Sequence, residues 1–127
     1  MYTTSVTKKF TFDAAHSLEN YKGPCSNLHG HTYVLEVTLS GEVNPDTGMI
    51  IDFNDLKQVV DTKVLGTFDH KHINKEVDYN PTAENMAQDI FGILDTHFTA
   101  AQLPIEVCRI RLWETPNSFA TVKRNDY

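Results

Sequence analysis

The segment that most constrains the fold is YVLEVTLSGEV at residues 33–43, in which apolar and polar side chains alternate. Alternation with a period of two is typical of a β-strand that buries one face. The buried face of this predicted strand would carry Tyr33, Leu35, Val37, Leu39 and Val43. An earlier stretch, SVTKKFTF at residues 5–12, is rich in β-branched and aromatic residues and predicts another strand that ends near Asp13. Residues 13–30 lose the pattern, so we expect a long loop between the two strands.

Two helices are predicted in the middle of the chain. Asp52 is placed to cap the first, whose apolar residues recur at helical spacing up to about Leu65. Thr82 follows Pro81 and is placed to cap the second. The apolar stripe of that helix comprises Ala83, Met86, Ala87, Ile90, Phe91, Leu94 and Phe98.

The period of two returns at residues 105–114 and, more weakly, at residues 118–124. The resulting order, β-β-α-α-β-β, predicts an α+β domain with a four-stranded antiparallel sheet and two helices on one face. Such a sheet has open edges, which association with other subunits would protect.

Composition excludes several classes of protein. A chain of 127 residues, 40% hydrophobic and 22% charged, is expected to form one domain, residues 1–127. The net charge of −6 argues against nucleic acid as a partner. No apolar run is long enough for a membrane span or a signal peptide. With only two cysteines in the chain, reduced thiols and a cytoplasmic location are expected.

Three histidines point to a metal site. His29 and His31 are separated by one glycine at the start of the strong strand, so both imidazoles face the same side. His16 follows the first strand, and a hairpin between the two strands would bring it beside them. Three neutral imidazoles suit Zn²⁺ and leave a fourth position open, as in catalytic zinc sites.

Cys25 has three interpretations. It is a fourth ligand that closes the site and makes it structural, a thiolate beside the metal with a lowered pKa, or a small buried hydrophobic residue. Cys108 lies in the middle of a predicted strand and is interpreted as a small buried hydrophobic residue.

Two further polar features are candidates. Asp69 precedes His70, and a carboxylate beside an imidazole can orient it as a general acid or base. Glu114 ends a strand otherwise made for burial and could accept a pair of N–H donors from a ligand. The ordinary alternatives are a solvated turn for Asp69-His70 and a strand-end charge for Glu114.

Six motifs occur in a specific order: FDAAH, C-x3-HGH, GMIIDF followed by D-LK, FDHKHIN, NPTAEN and WETPNS. Together they resemble the family of 6-pyruvoyl-tetrahydropterin synthases and 6-carboxytetrahydropterin synthases over nearly the whole chain. The three residues between Cys25 and His29 resemble the bacterial carboxypterin branch, whereas the pyruvoyl branch tends to have a longer interval.

The resemblance implies the tunnelling fold, in which sheets of several subunits join into a trimeric barrel. Two trimers would stack into a homohexamer, with active sites at subunit interfaces. This assembly would cover the open sheet edges.

The resemblance also implies roles for individual residues. The zinc ligands would be His16, His29 and His31. Cys25 would be the catalytic thiol, and Asp69 with His70 the acid/base pair. The residues that hold the pterin would be Glu114, Thr82 and, with a less defined role, Glu84.

The activity implied is that of a zinc-dependent lyase acting on 7,8-dihydroneopterin triphosphate. Its products would be 6-carboxy-5,6,7,8-tetrahydropterin, acetaldehyde and triphosphate, an early step toward queuosine. Two alternatives stay open. One is a pyruvoyl synthase or a dihydroneopterin aldolase-like enzyme on the same scaffold, and the other is a non-catalytic zinc module with Cys25 as fourth ligand.

Overall fold

A computed structural model describes residues 2–127 of the chain. Its centre is one five-stranded sheet with the strand order β3-β1-β2-β4-β5. All neighbouring strands are antiparallel except the short β3, which runs parallel to β1. The strands are β1 (Ser5–His16), β2 (His29–Gly41), β3 (Lys71–His72), β4 (Ile105–Thr115) and β5 (Ser118–Lys123).

Two helical segments lie between β2 and β4. The first begins as α1 (Phe53–Val60), continues through a π-helical turn (Asp61–Leu65) and ends in the single turn α2 (Gly66–Phe68). The second is α3 (Ala83–Ala101). Short 3₁₀ turns occur at Pro24–Ser26 and Ile73–Lys75.

The predicted N-caps of both helices are confirmed. The Asp52 carboxylate accepts a hydrogen bond from the Asn54 amide at 2.7 Å, and the Thr82 hydroxyl accepts one from the Asn85 amide at 3.1 Å. Each bond satisfies a backbone donor that the first helical turn leaves free. The first helix runs on to Phe68, a few residues beyond the predicted end, because Val64 and Phe68 are fully buried.

One apolar core joins the helices to one face of the sheet, as predicted. The alternating residues of β1 and β2 point into it, and the predicted buried residues Tyr33, Leu35, Val37 and Leu39 are all fully buried. The helices contribute Leu56, Val60, Met86, Ile90 and Leu94 to the same cluster. Val43 is exposed, since β2 ends at Gly41.

The predictions of four strands and of a purely antiparallel sheet are wrong. The additional strand, β3, has two residues, which pair with Ala14 and Ala15 of β1. A two-residue strand shows no periodicity, so the sequence gives no signal for it.

The first strand is also longer than predicted. It continues through Asp13, Ala14 and Ala15 to His16, and the loop before β2 spans residues 17–28 instead of 13–30. Pairing with β2 extends the strand: Asp13 lies opposite Thr32, whose hydroxyl donates to the Asp13 carboxylate at 2.6 Å. Cross-strand pairing therefore overrides the weak strand propensity of these residues.

Within residues 2–127, none of the helices is both long and apolar enough to cross a membrane.

Candidate active site

The β1–β2 hairpin brings the three predicted metal ligands together. In its register His16 lies opposite His29, and Ala14 lies opposite His31. The three imidazoles lie on the helix-facing side, at the end of the sheet where the apolar core stops. One nitrogen from each ring lies within 4.8 Å of the other two. The prediction that a hairpin gathers these histidines is confirmed.

Backbone carbonyls determine which nitrogen of two of these rings is protonated. His16 Nδ1 lies 2.7 Å from the carbonyl oxygen of Pro81, and His29 Nδ1 lies 2.7 Å from that of Asn27. A carbonyl oxygen only accepts, so both Nδ1 atoms carry the hydrogen and both Nε2 atoms present lone pairs. These Nε2 atoms lie 3.0 Å apart. Two lone pairs at that distance repel each other unless a cation lies between them.

The third imidazole, that of His31, also has a ring nitrogen that lacks a partner. His31 Nε2 is buried and has no hydrogen-bond partner in the described part of the chain. Burial lowers the pKa values of both His16 and His31, although the Glu114 carboxylate opposes that shift. The two rings are therefore held neutral, which is the form that binds metal. The donor set fits a divalent cation that prefers nitrogen ligands, and zinc is one such ion.

Cys25 is outside this cluster. Among the described residues, the group of possible metal ligands contains the three histidines and no thiol. Cys25 lies in the 3₁₀ turn of the 17–28 loop and is half-buried.

Glu114 lies beside the histidines. Its two carboxylate oxygens lie 3.7 Å from His31 Nε2 and 3.9 Å from His16 Nε2. The carboxylate is partly exposed, with 25% of the side-chain surface accessible, so a ligand can reach it. It adds negative charge next to the proposed cation and presents two acceptor oxygens to the adjoining groove.

Asp69 and His70 form the predicted pair. Asp69 Oδ1 lies 3.0 Å from His70 Nδ1 and also accepts from the Asp13 amide at 3.1 Å. In turn, the His70 amide donates to the Asp13 carbonyl. His70 has a φ of +59°, which turns its ring back toward Asp69. With Nδ1 facing a carboxylate, the exposed ring leaves Nε2 accessible to a ligand.

Thr82 is the N-cap of α3, and Glu84 lies in the first turn of that helix. Both residues line a groove of about 380 Å³ together with Glu114 and Phe119. The Thr82 hydroxyl is engaged as the helix cap, as described above. The structure therefore brings both predicted pterin-holding residues to the side of Glu114.

Two further grooves meet at His31. One, about 570 Å³ in volume, is lined by His31, Trp113 and Glu114; the other, of equal size, is lined by His31, Asp13 and His70. His31 lies between the predicted pterin anchor and the predicted acid/base pair. Of the three imidazoles, only that of His31 lines these two grooves.

Several residues of the site were not predicted. The carbonyl groups of Pro81 and Asn27 orient two histidines, and Asp13 holds both Asp69 and His70 in place. Tyr33 places its hydroxyl 3.3 Å from His16 Nδ1, and burial raises its pKa, so the hydroxyl remains protonated. Asp13 lies inside the FDAAH motif and Pro81 inside the NPTAEN motif, and these positions are the sequence signals for their contacts.

Comparison with known proteins agrees with this geometry. The family model described as 6-pyruvoyl tetrahydropterin synthase matches residues 5–125, and the chain belongs to this family. It is 36% identical to 6-carboxy-5,6,7,8-tetrahydropterin synthase of Haemophilus influenzae, over 90% of this chain and 94% of that protein. It is 33% identical to human 6-pyruvoyl tetrahydrobiopterin synthase, over 93% and 90% of the respective chains.

A solved structure is similar throughout. The 6-pyruvoyl tetrahydropterin synthase of Caenorhabditis elegans superposes with a TM-score of 0.84 at 31% identity, covering 98% of each chain. The subunit fold predicted for the tunnelling-fold family and the resemblance to pterin synthases are confirmed. The relatives carry names from both the carboxypterin and the pyruvoyl branch.

Proposed function

We propose that this protein is a zinc-dependent 6-carboxy-5,6,7,8-tetrahydropterin synthase, a lyase that acts on 7,8-dihydroneopterin triphosphate. The observation that carries the proposal is the cluster of three imidazoles beside Glu114, in which His31 lines one groove shared with Glu114 and a second groove shared with His70. The Haemophilus relative bears the same activity in its name. The reaction would consume water and release acetaldehyde and triphosphate, as a step toward queuosine.

His16, His29 and His31 would hold the zinc through their Nε2 atoms. When bound there, zinc would supply Lewis-acid polarisation of the hydroxyl groups on the substrate side chain. The hydrogen bonds from Nδ1 to Pro81 and Asn27 would keep the rings oriented and would raise their basicity as ligands.

Glu114 would hold the pterin ring. Its carboxylate has two acceptor oxygens, which match the adjacent 2-amino and ring N–H donors of a pterin in a charge-assisted pair. Thr82 and Glu84 line the same groove and would contact the opposite edge of the ring. These contacts would place the substrate side chain over His31.

Cys25 and the Asp69–His70 pair would move protons. Cys25, as thiolate, would accept a proton from the substrate side chain. His70, with Nδ1 held by Asp69, would exchange a proton through Nε2 on the other side. Breaking the carbon–carbon bond requires both transfers, because charge builds on one fragment as the other leaves.

A homohexamer of two stacked trimers, with active sites at subunit interfaces, is part of the proposal. Two strand edges support it: β5 ends the sheet, and on the outer side of β1 the short β3 pairs only with Ala14 and Ala15. Unpaired edges of this length are protected in proteins by pairing with another chain or by covering. We further propose that residues 1–127 act as one domain in the cytoplasm.

The proposal is tested by incubating zinc-loaded protein without oxygen with 7,8-dihydroneopterin triphosphate. The products are then identified by mass, and acetaldehyde is quantified. We expect 6-carboxytetrahydropterin and acetaldehyde in equal amounts.

The other outcomes distinguish the alternatives. A pyruvoyl product without acetaldehyde would assign the chain to the activity named for the human relative. Cleavage of dephosphorylated dihydroneopterin would identify an aldolase-like enzyme. Bound zinc with no turnover on either substrate would favour a non-catalytic metal module.

A further inference from the structure

Two asparagine side chains form hydrogen bonds with the backbone of the loop that carries Cys25, in the way that a neighbouring strand would. Immediately after β1, the amide of Ser17 donates to Asn74 Oδ1 at 2.9 Å, and Asn74 Nδ2 donates to the Ser17 carbonyl at 2.9 Å. Two residues later, Asn80 makes the same pair of bonds with Glu19, at 2.9 and 3.1 Å. A side-chain amide has the donor and acceptor of a peptide group, so each asparagine acts as one residue of a neighbouring strand.

Leu18, which lies between Ser17 and Glu19, is hydrogen-bonded to the backbone of Cys25. Backbone groups of successive residues in an extended chain point to opposite sides. Ser17 and Glu19 face the asparagines, and the amide of Leu18 faces away and donates to the Cys25 carbonyl at 2.9 Å. The asparagines therefore act on the backbone of Cys25 through a single intermediate segment, residues 17–19.

Both asparagines are themselves firmly held. Asn74 follows Ile73, which is fully buried, in a 3₁₀ turn. The Asn80 carbonyl accepts from the Thr82 amide at 2.8 Å and from Asn85 Nδ2 at 2.9 Å. The N-terminal turn of α3 thus fixes Asn80 at the place where Pro81 orients His16.

We propose that Asn74 and Asn80 are positioning residues that hold the Cys25 loop in register with the metal-binding histidines. The proposal rests on the proposed function only in treating Cys25 as the reacting thiol. Among the described residues, neither asparagine is hydrogen-bonded to the histidine rings, so we expect their effect on the loop and not on the metal.

The experiment compares Asn74→Asp, Asn80→Asp and the double variant with the unmodified protein. Aspartate keeps the shape and the acceptor oxygen but loses the Nδ2 donor and sets a charge against a backbone carbonyl. Asn54→Asp is the matched control, since Asn54 is exposed on α1, away from this loop. Three quantities are measured on zinc-loaded protein: amide hydrogen exchange, the rate at which iodoacetamide alkylates Cys25, and metal content.

Each single variant should accelerate exchange at the Leu18 amide about tenfold, with faster alkylation of Cys25. Exchange at Leu35, a buried residue of the central strand, and the metal content should stay unchanged. Effects of the two substitutions should be less than additive, because both release the same segment. Asn54→Asp should change none of these values.

Unchanged exchange at Leu18 in both single variants would overturn the proposal. So would equal acceleration at Leu18 and Leu35, because it would mean that the asparagines only stabilise the fold as a whole. None of these measurements requires turnover. A failure of the proposed reaction would appear in the product assay and leave these results intact.

Discussion

The histidine cluster and the groups proposed to transfer protons are built in different ways. His16, His29 and His31 are on two long strands that pair along twelve positions, and carbonyl groups fix the rings of two of them. Cys25 and His70 are on irregular segments, in the 17–28 loop and after α2. The strand ladder is cooperative, whereas the irregular segments are held by individual hydrogen bonds, some from side chains and some from the backbone.

We infer from this difference that the two regions have separate roles. A metal site needs several ligands held at fixed separations, which paired strands provide. Proton transfer needs groups that reach the substrate and adjust to it, and short loops tethered by hydrogen bonds allow this. The two regions should therefore respond separately to substitution.

The largest effect is expected from His29→Ala, which removes one ligand from the strand-held region, that is, from the histidine cluster on β1 and β2. Two imidazoles remain, and metal affinity should fall by more than about 100-fold, since even loss of an outer-shell partner costs roughly 10–100-fold. Turnover should be lost together with the metal. Metal analysis after dialysis checks this, and full metal retention in His29→Ala would contradict the assigned ligand set.

A smaller effect is expected from Glu114→Gln. The Glu114 carboxylate lies beside the histidine cluster and is the proposed anchor of the pterin ring. The amide keeps one acceptor oxygen and loses the charge, so the pterin contact should weaken by ~1.5–3 kcal/mol, or roughly 10–100-fold in kcat/KM. Metal content should be retained. Steady-state kinetics with metal analysis of the same sample test this, and a normal kcat/KM would remove Glu114 as the pterin anchor.

The loop-held region comprises Cys25 and the Asp69–His70 pair. Here Asp69→Asn should have a more moderate effect. Asparagine keeps an acceptor for His70 Nδ1 and for the Asp13 amide, and it loses only the charge that assists these bonds. We expect a decrease of about tenfold in kcat with metal content unchanged. Loss of metal in this variant would show that the two regions are coupled.

Tyr33→Phe should have the smallest effect. His16 Nδ1 already donates to Pro81 at 2.7 Å, and the Tyr33 hydroxyl is the more distant partner at 3.3 Å. The ring stacks on Phe12, with centroids 4.9 Å apart, and phenylalanine preserves that contact. The free energy of unfolding should change by less than about 1 kcal/mol, as measured by denaturant unfolding, with metal affinity unchanged.

The same comparison explains what could be predicted from sequence. The spacing of His29 and His31 has the period of a strand, so their common face follows directly, and the hairpin places His16. The caps at Asp52 and Thr82 were predicted because they depend on residue type.

Other features of the site have no signature in residue type. The orienting contacts to His16 and His29 come from backbone carbonyls, which every residue carries. The strand β3 is too short to show a period, and it also made the prediction of a four-stranded sheet wrong. The positive φ at His70, which allows neighbouring residues 69 and 70 to pair, is set by the bond from its amide to Asp13 in a distant part of the chain.

The most direct test of the central claim is Cys25→Ala, with zinc content and product formation measured on the same preparation. If the histidines hold the metal and the thiol transfers a proton, zinc should remain at the level of the unmodified protein. Turnover should fall by about 10²–10⁴-fold, the usual contribution of a general acid or base. Release of zinc from Cys25→Ala would contradict the account, because the thiol would then be a metal ligand and the site a closed one.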